Sequence, residues 1–236
     1  MLLCVEFFVS CRCTDTSIAA RNGGCFPASA TVRLESGETR SMADLSVGQR
    51  VLTIHHDGSL HYDDVIAFMH RQPQLMTSFS VITTVDGYQL VATDDHLVFT
   101  SADQSASFSD GAPPTFMSHL HSGNDSVYVT TPDSKHLAVS MVMSVTKVTE
   151  RGVFAPLTSS GTIVVDGVAA SCYALVSSHR VAQLAMAPLR LAARTCSWWN
   201  CYDDTLSPVD GVHWYAQFMR RLAESLFPDS ELWFGR

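Results

Sequence analysis

GGCFPASATVRLESGE, from Gly23 to Glu38, is the stretch on which the reading of this chain turns. Its Thr-Val-Arg-Leu reads as a short β-strand running into a Glu-Ser-Gly turn, and the residues before it carry a reactive arrangement. A thiol one residue after a glycine can attack that glycine's carbonyl through a five-membered ring. Gly24 has no side chain to shield the carbonyl or to hinder a bent peptide. Attack by Cys25 converts an amide into a thioester. The reverse reaction is normally favoured, so a fold that uses this step must distort the peptide and protonate the departing amine with a nearby acid.

Outward from this block, short β-rich runs alternate with turns between Thr31 and Ala174. Three Asp-Gly pairs sit between apolar or β-branched stretches: Asp57-Gly58 after Val51 to Ile54, Asp86-Gly87 between Val81 to Val85 and Tyr88 to Val91, and Asp166-Gly167 between Thr162 to Val165 and Val168 to Ala174. Each reads as a hairpin in which both central residues take positive φ, freely for Gly and tolerably for Asp. VGQRVLTIHHDGSLHY from Val47 and GNDSVYVTTPDSKHLAV from Gly123 echo one another, as duplicated β units would. Ser101 to Gly123, rich in Ser, Asp, Gly and Pro, reads as a surface loop of little core value.

After Tyr173 the spacing turns helical. In HWYAQFMRRLAESLF from His213, either Trp214, Phe218, Leu222 and Leu226 or Tyr215, Met219, Leu222 and Leu226 recur on one apolar face, with Gln217, Arg220, Arg221 and Glu224 supplying the polar side. Val181 to Ala193 is spaced similarly until Pro188, where a helix should kink or stop. The expectation is an all-β body over residues 23–174, a helical region over 175–236, and residues 1–22 as the end of an upstream part.

The chain of 236 residues is 46% hydrophobic, enough for a packed core, and carries 15 Lys and Arg against 23 Asp and Glu, a formal charge of −8. No basic cluster offers a phosphate backbone a partner, so nucleic acid is not expected. The apolar opening MLLCVEFFVS lacks a basic flank and a clear small-residue cleavage site. No apolar run approaches the roughly 20 residues that span a bilayer, because His179, Arg180, Pro188, Arg190 and Arg194 interrupt the last third, so no transmembrane helix is expected. Seven cysteines leave at least one thiol without an intramolecular disulfide, and their spacing suits no structural zinc site.

Further blocks extend the first in order: MADLSVGQRVL from Met42, VATDDHLVF from Val91, APLTSSGTIVVDGVAASCYA from Ala155, and GVHWYAQ from Gly211. Together they resemble the C-terminal autoprocessing (Hint) domain of hedgehog proteins, from about Ala19 to the C-terminal helix. The resemblance implies an all-β, disc-like Hint (hedgehog/intein) fold with a pseudo-twofold repeat, followed by a small α-helical sterol-recognition region. It implies one turnover on the chain itself, as a cysteine endopeptidase and cholesterol transferase in cell-cell signalling. The bond before Cys25 is cut through a thioester, and Gly24 passes to the 3β-hydroxyl of cholesterol. In the Thr-x-x-His motif Thr93 holds the scissile peptide and His96 protonates the amine. Cys172 matches the family's second active-site cysteine and would polarise the site or pair reversibly with Cys25. Trp214, Phe218 and Leu222 would face the sterol.

The resemblance further implies no metal or nucleotide cofactor, with cholesterol as cosubstrate. The partners are the chain's own upstream polypeptide, a sterol and, peripherally, a membrane surface; the location is the endoplasmic reticulum of the secretory pathway, with secretion. One residue departs from the family. Where the general base that takes the proton of the sterol hydroxyl is an Asp in Phe-Met-Asp-Arg or Phe-Leu-Asp-Arg, this chain reads FMHR, with His70 in that position. A neutral imidazole, with a reference pKa near ~6.5 against ~3.9 for a carboxylate, is as reasonable a base near neutral pH.

Each assignment has a plainer rival. Cys25 and Cys172 can be read as buried core residues, His96 as a satisfied core histidine, Thr93 as a strand residue, His70 as a surface replacement, and the Trp214 face as core. Two functional alternatives remain open: a thioester taken by water, and a non-catalytic secreted module that grips sterol or membrane.

Overall fold

The computed structural model describes residues 25–101, 103, 108, 114–131, 133, 135–173, 186–191 and 211–215. Their strands are β1 (Thr31–Arg33), β2 (Thr39–Ser41), β3 (Arg50–Ile54), β4 (Leu60–Arg71), β5 (Met76–Thr84), β6 (Gln89–Ala92), β7 (Leu97–Ser101), β8 (Pro114–Phe116), β9 (Ser126–Thr130), β10 (Leu137–Arg151), β11 (Phe154–Thr158), β12 (Thr162–Val165), β13 (Val168–Ser171) and β14 (Gly211–Val212). β1 and β2 pair alone. One sheet runs β12-β13-β7-β9-β10-β5-β6 with β8 on β7, and another runs β11-β4-β14 with β3 on β4. This is the all-β architecture expected of a Hint fold.

The internal echo in the sequence is a repeated hairpin. In each copy a five-residue strand turns into a much longer one whose far half pairs elsewhere. β3 pairs the start of β4, while the end of β4 pairs β11. β9 likewise pairs the start of β10, while the rest of β10 pairs β5. Val65 to His70 of β4 are all buried, because this half of the strand is covered on both faces. Such a strand reads as continuous apolar sequence rather than as an alternation.

Each of the three Asp-Gly turns joins two strands, but only one has the expected geometry. Asp166 and Gly167 both have positive φ, 50° and 80°, in the two-residue loop between β12 and β13. In the other two, only Gly58 and Gly87 do. There Gly58 N–H donates to His55 O and Gly87 N–H to Thr84 O, so each loop holds one residue more and only its glycine is left-handed. A longer loop spares the Asp the strained conformation.

Two further expectations are corrected. The Ser101 to Gly123 segment contributes to the core: Phe108 stacks edge-on against Phe99 and Tyr128, β8 pairs β7, and Met117 and Leu120 are buried. Its polar composition hid a few large apolar anchors. The region after Tyr173 is not helical throughout, since Gly211–Val212 joins the sheet on β4. Residues 187–191 are helical with Pro188 in the first turn, where a missing N–H is not needed, so the proline stands at the start of a helix rather than ending one. Leu189 of that helix is buried in the main core. The remainder of the expected helices lies outside the described residues, as do residues 1–24.

Candidate active site

Cys25 is tied to the body through its neighbour. Phe26 N–H donates to Phe154 O at 2.8 Å and Phe154 N–H to Phe26 O at 2.9 Å, an antiparallel bridge to the first residue of β11. Continuing that register by one residue brings Cys25 level with Ala155, which is paired with His70 on β4, which is paired with Val212 on β14. Residues level across neighbouring strands share a face. Cys25 and His70 thus stand two strands apart on one row, and only the methyl of Ala155 intervenes. The side chains meet over it, with Cys25 Sγ 3.6 Å from His70 Nδ1.

The Thr-x-x-His turn grips Cys25 from another side. Cys25 N–H donates to Thr93 Oγ1 at 2.9 Å, and Thr93 N–H donates to Cys25 O at 3.0 Å. That nitrogen is the leaving group of the expected cleavage, so Thr93 touches the bond that would break. His96 N–H closes the turn onto Thr93 O at 3.0 Å. The buried ring of His96 packs against Phe26, with centroids 4.2 Å apart, and so lies beside the residue that follows Cys25. Asp94 anchors the turn: its carboxylate accepts from Ser80 Oγ at 2.7 Å and from Lys147 Nζ, and its carbonyl from Ser118 N–H. Burial alone would raise the Asp94 pKa, but Lys147 and Ser80 outweigh it and hold the carboxyl below its usual range.

Cys25 is fully buried, and burial pushes its thiol well above the usual cysteine range. An apolar pocket disfavours the thiolate, so this thiol would have to give up its proton to a base before it could act as a nucleophile. His70 Nδ1 is in reach of that proton. Cys172 follows β13, with Sγ 3.5 Å from Thr158 Oγ1. Thr158 Oγ1 donates to Thr162 O at 2.7 Å, so the Cys172 thiol is the donor to Thr158. Burial pushes it up to about 11.

The arrangement thus brings together Cys25, Thr93, His70 and, through Phe26, His96. Cys172 is occupied with Thr158. Trp214 is 62% exposed, while Gly24, Phe218 and Leu222 lie outside the described residues. Among the described residues no cluster of His, Cys, Asp or Glu suits a metal ion, and no helix is long and apolar enough to cross a membrane. Sequence reasoning missed Ala155, Val212 and Gln72, whose Oε1 lies 3.0 Å from His70 Nε2. The spacing of Gln72 from His70, two residues on in extended chain just past the end of β4, was the available signal.

The Hint module family model matches residues 13–228. Among curated proteins, the chain is 38% identical to the Indian hedgehog protein of Gallus gallus over 91% of its length, covering 51% of that protein. It is 36% identical to the Tiggy-winkle hedgehog protein of Danio rerio over 87%, covering 49%, and 33% identical to the hedgehog protein of Drosophila melanogaster over 92%, covering 47%. The chain therefore spans about half the length of the curated relatives it matches. Among solved structures, a DnaB intein from Synechocystis sp. PCC 6803 aligns with TM-score 0.51 at 14% identity, over 63% of this chain and 97% of the intein. An Ssp DnaB mini-intein variant aligns with TM-score 0.51 at 13% identity, over 64% and 95%. Family model, hedgehog likeness and intein-like fold agree: the chain belongs to the Hint module family, the autoprocessing fold shared by hedgehog proteins and inteins.

Proposed function

We propose that this chain cuts the peptide bond before Cys25 through an internal thioester and transfers the upstream acyl group, ending at Gly24, to the hydroxyl of a sterol such as cholesterol. The upstream polypeptide would be a signalling segment of hedgehog type, processed in the endoplasmic reticulum and then secreted. The observation that carries the reading is the contact of Cys25 Sγ with His70 Nδ1 at 3.6 Å, while the same residue's N–H sits on Thr93 Oγ1. A protonated nucleophile, a base and a hold on the leaving nitrogen converge on one peptide bond.

As Cys25 Sγ bonds to the Gly24 carbonyl carbon, its proton moves to His70 Nδ1. The bond between that carbon and Cys25 N then breaks, and the nitrogen takes a proton from His96 to leave as an amine steadied by Thr93. His70 then gives its proton to solvent and His96 regains one from it, so that, net, one proton passes from thiol to amine and both rings return to their starting states. In the second step His70, neutral again, takes the proton of the acceptor hydroxyl as it attacks the thioester and frees the Cys25 thiolate, which is reprotonated. The C-terminal region, beside His70 through Val212, is the natural route for an acceptor. Trp214, Phe218 and Leu222 are its proposed sterol contacts, and Cys172 helps shape the pocket as a thiol.

The test is the mass of the released upstream product, made with and without cholesterol. We expect a product heavier by one esterified sterol. A product ending only in a free Gly24 carboxylate would mean that water is the acceptor and would overturn sterol transfer.

A further inference from the structure

We infer that Gln72 is a positioning residue that fixes which nitrogen of His70 carries the proton, and so aims the ring's lone pair at the nucleophile. Gln72 Oε1 lies 3.0 Å from His70 Nε2, on the far side of the ring from Cys25. An amide oxygen only accepts and a neutral imidazole has one N–H, so the hydrogen bond forms only if Nε2 carries the proton. Nδ1 is then bare, and it is Nδ1 that lies 3.6 Å from Cys25 Sγ. The opposite tautomer would set two lone pairs against each other at Nε2 and point an N–H at sulfur, which cannot take up the thiol proton.

Gln72 is itself held. Its N–H donates to Val153 O at 2.9 Å, and its carbonyl accepts from Val153 N–H at 3.1 Å and Leu75 N–H at 3.3 Å. These bonds pin the backbone just past the end of β4, two residues from His70, where the side chain falls on the same face. The partner is neutral, and that matters after the proton has moved. A carboxylate in its place would hold the imidazolium as an ion pair. The amide orients the ring without trapping the charge, so His70 can release the proton and be ready for the second step. This inference rests on His70 acting as the base, but the tautomer exists whether or not the chain cleaves itself.

The two can therefore be tested apart. Nitrogen-15 spectra of the His70 ring, recorded on the full chain carrying Cys25→Ala at pH 8.5, report the tautomer in an uncleaved protein. Thiol-induced cleavage of the otherwise unaltered chain reports the rate. We expect a protected Nε2–H and a bare Nδ1 with Gln72 present. Gln72→Met, similar in shape but without the acceptor, should lose that protected proton, raise the Nδ1–H population and slow cleavage roughly tenfold, as expected for a misaligned catalytic group. Gln72→Glu, which keeps an accepting oxygen, should retain the Nε2–H form. An Nδ1–H ring in the parent would overturn the inference, as would a Gln72→Met ring with its Nε2–H intact at any cleavage rate. A tautomer that shifts while cleavage is unchanged would instead count against His70 as the base.

Discussion

Ala155 is a single methyl between the proposed nucleophile and its base. It is buried between the bridge that carries Phe26 and the strand that carries His70, and its size lets Cys25 and His70 touch from two strands apart. A larger side chain on the same face would separate them. We expect Ala155→Leu to slow thiol-induced cleavage at least tenfold, because a displacement of about 1 Å can cost on the order of a hundredfold, and Ala155→Gly to leave it nearly unchanged. Thiol-cleavage rates of the two variants check this, and equal rates would remove the cross-strand contact from the mechanism. If His70 is the base, its neutral form is the active one, so cleavage should also fall as the solution is acidified enough to protonate the ring. His70→Asp should move that acid limb lower, because a carboxylate stays ionised to about pH 4. Cys25 stood out in the sequence as a candidate because a thiol directly after a glycine can reach its carbonyl, while Thr93 and His96 were candidates only through the family resemblance; the structure places all three near one another. Ala155, Val212 and Gln72 were not legible in the sequence, since what matters is the row they occupy across strands.

At the level of elements, β14 is the least legible part of the fold. Two residues are too few to show a period, and the helical spacing that follows His213 drew Gly211 and Val212 into a helical reading. They instead add a strand to β4, with Val212 opposite His70 and His213 N–H donating to Met69 O at 2.9 Å. The same region buries Leu189 in the core, and Arg190 reaches Ser159 O at 3.4 Å. The C-terminal region therefore braces the strand that carries His70. We expect Leu189→Ala to lower unfolding stability by roughly 2–5 kcal/mol, as for other buried leucines. A chain ending at residue 174 should then cleave more slowly with thiol than the full chain, because β4 loses its neighbour. Denaturant titration and thiol-cleavage kinetics measure the two effects. Full-rate cleavage by the shortened chain would show that β14 does not support the site.

For the whole molecule, the duplicated hairpin was readable as a faint echo because both copies need the same order of strand, turn and long strand. The way β4 and β10 each serve two partners was not, since pairing depends on distant segments. β11 brings Cys25 to His70, and the Thr93 turn holds Cys25 from the other side. A sheet fold thereby gathers Cys25, His70 and Thr93 at one place from separate strands and turns. The most direct test joins a reporter ahead of residue 1 of the full chain, adds a small thiol and determines the masses of the fragments. We expect a reporter fragment ending at Gly24 and a second fragment beginning at Cys25, no cleavage in Cys25→Ala, and a loss of about 10²–10⁴-fold in His70→Ala, the usual contribution of a general base. Release of the same fragments from Cys25→Ala would contradict the account.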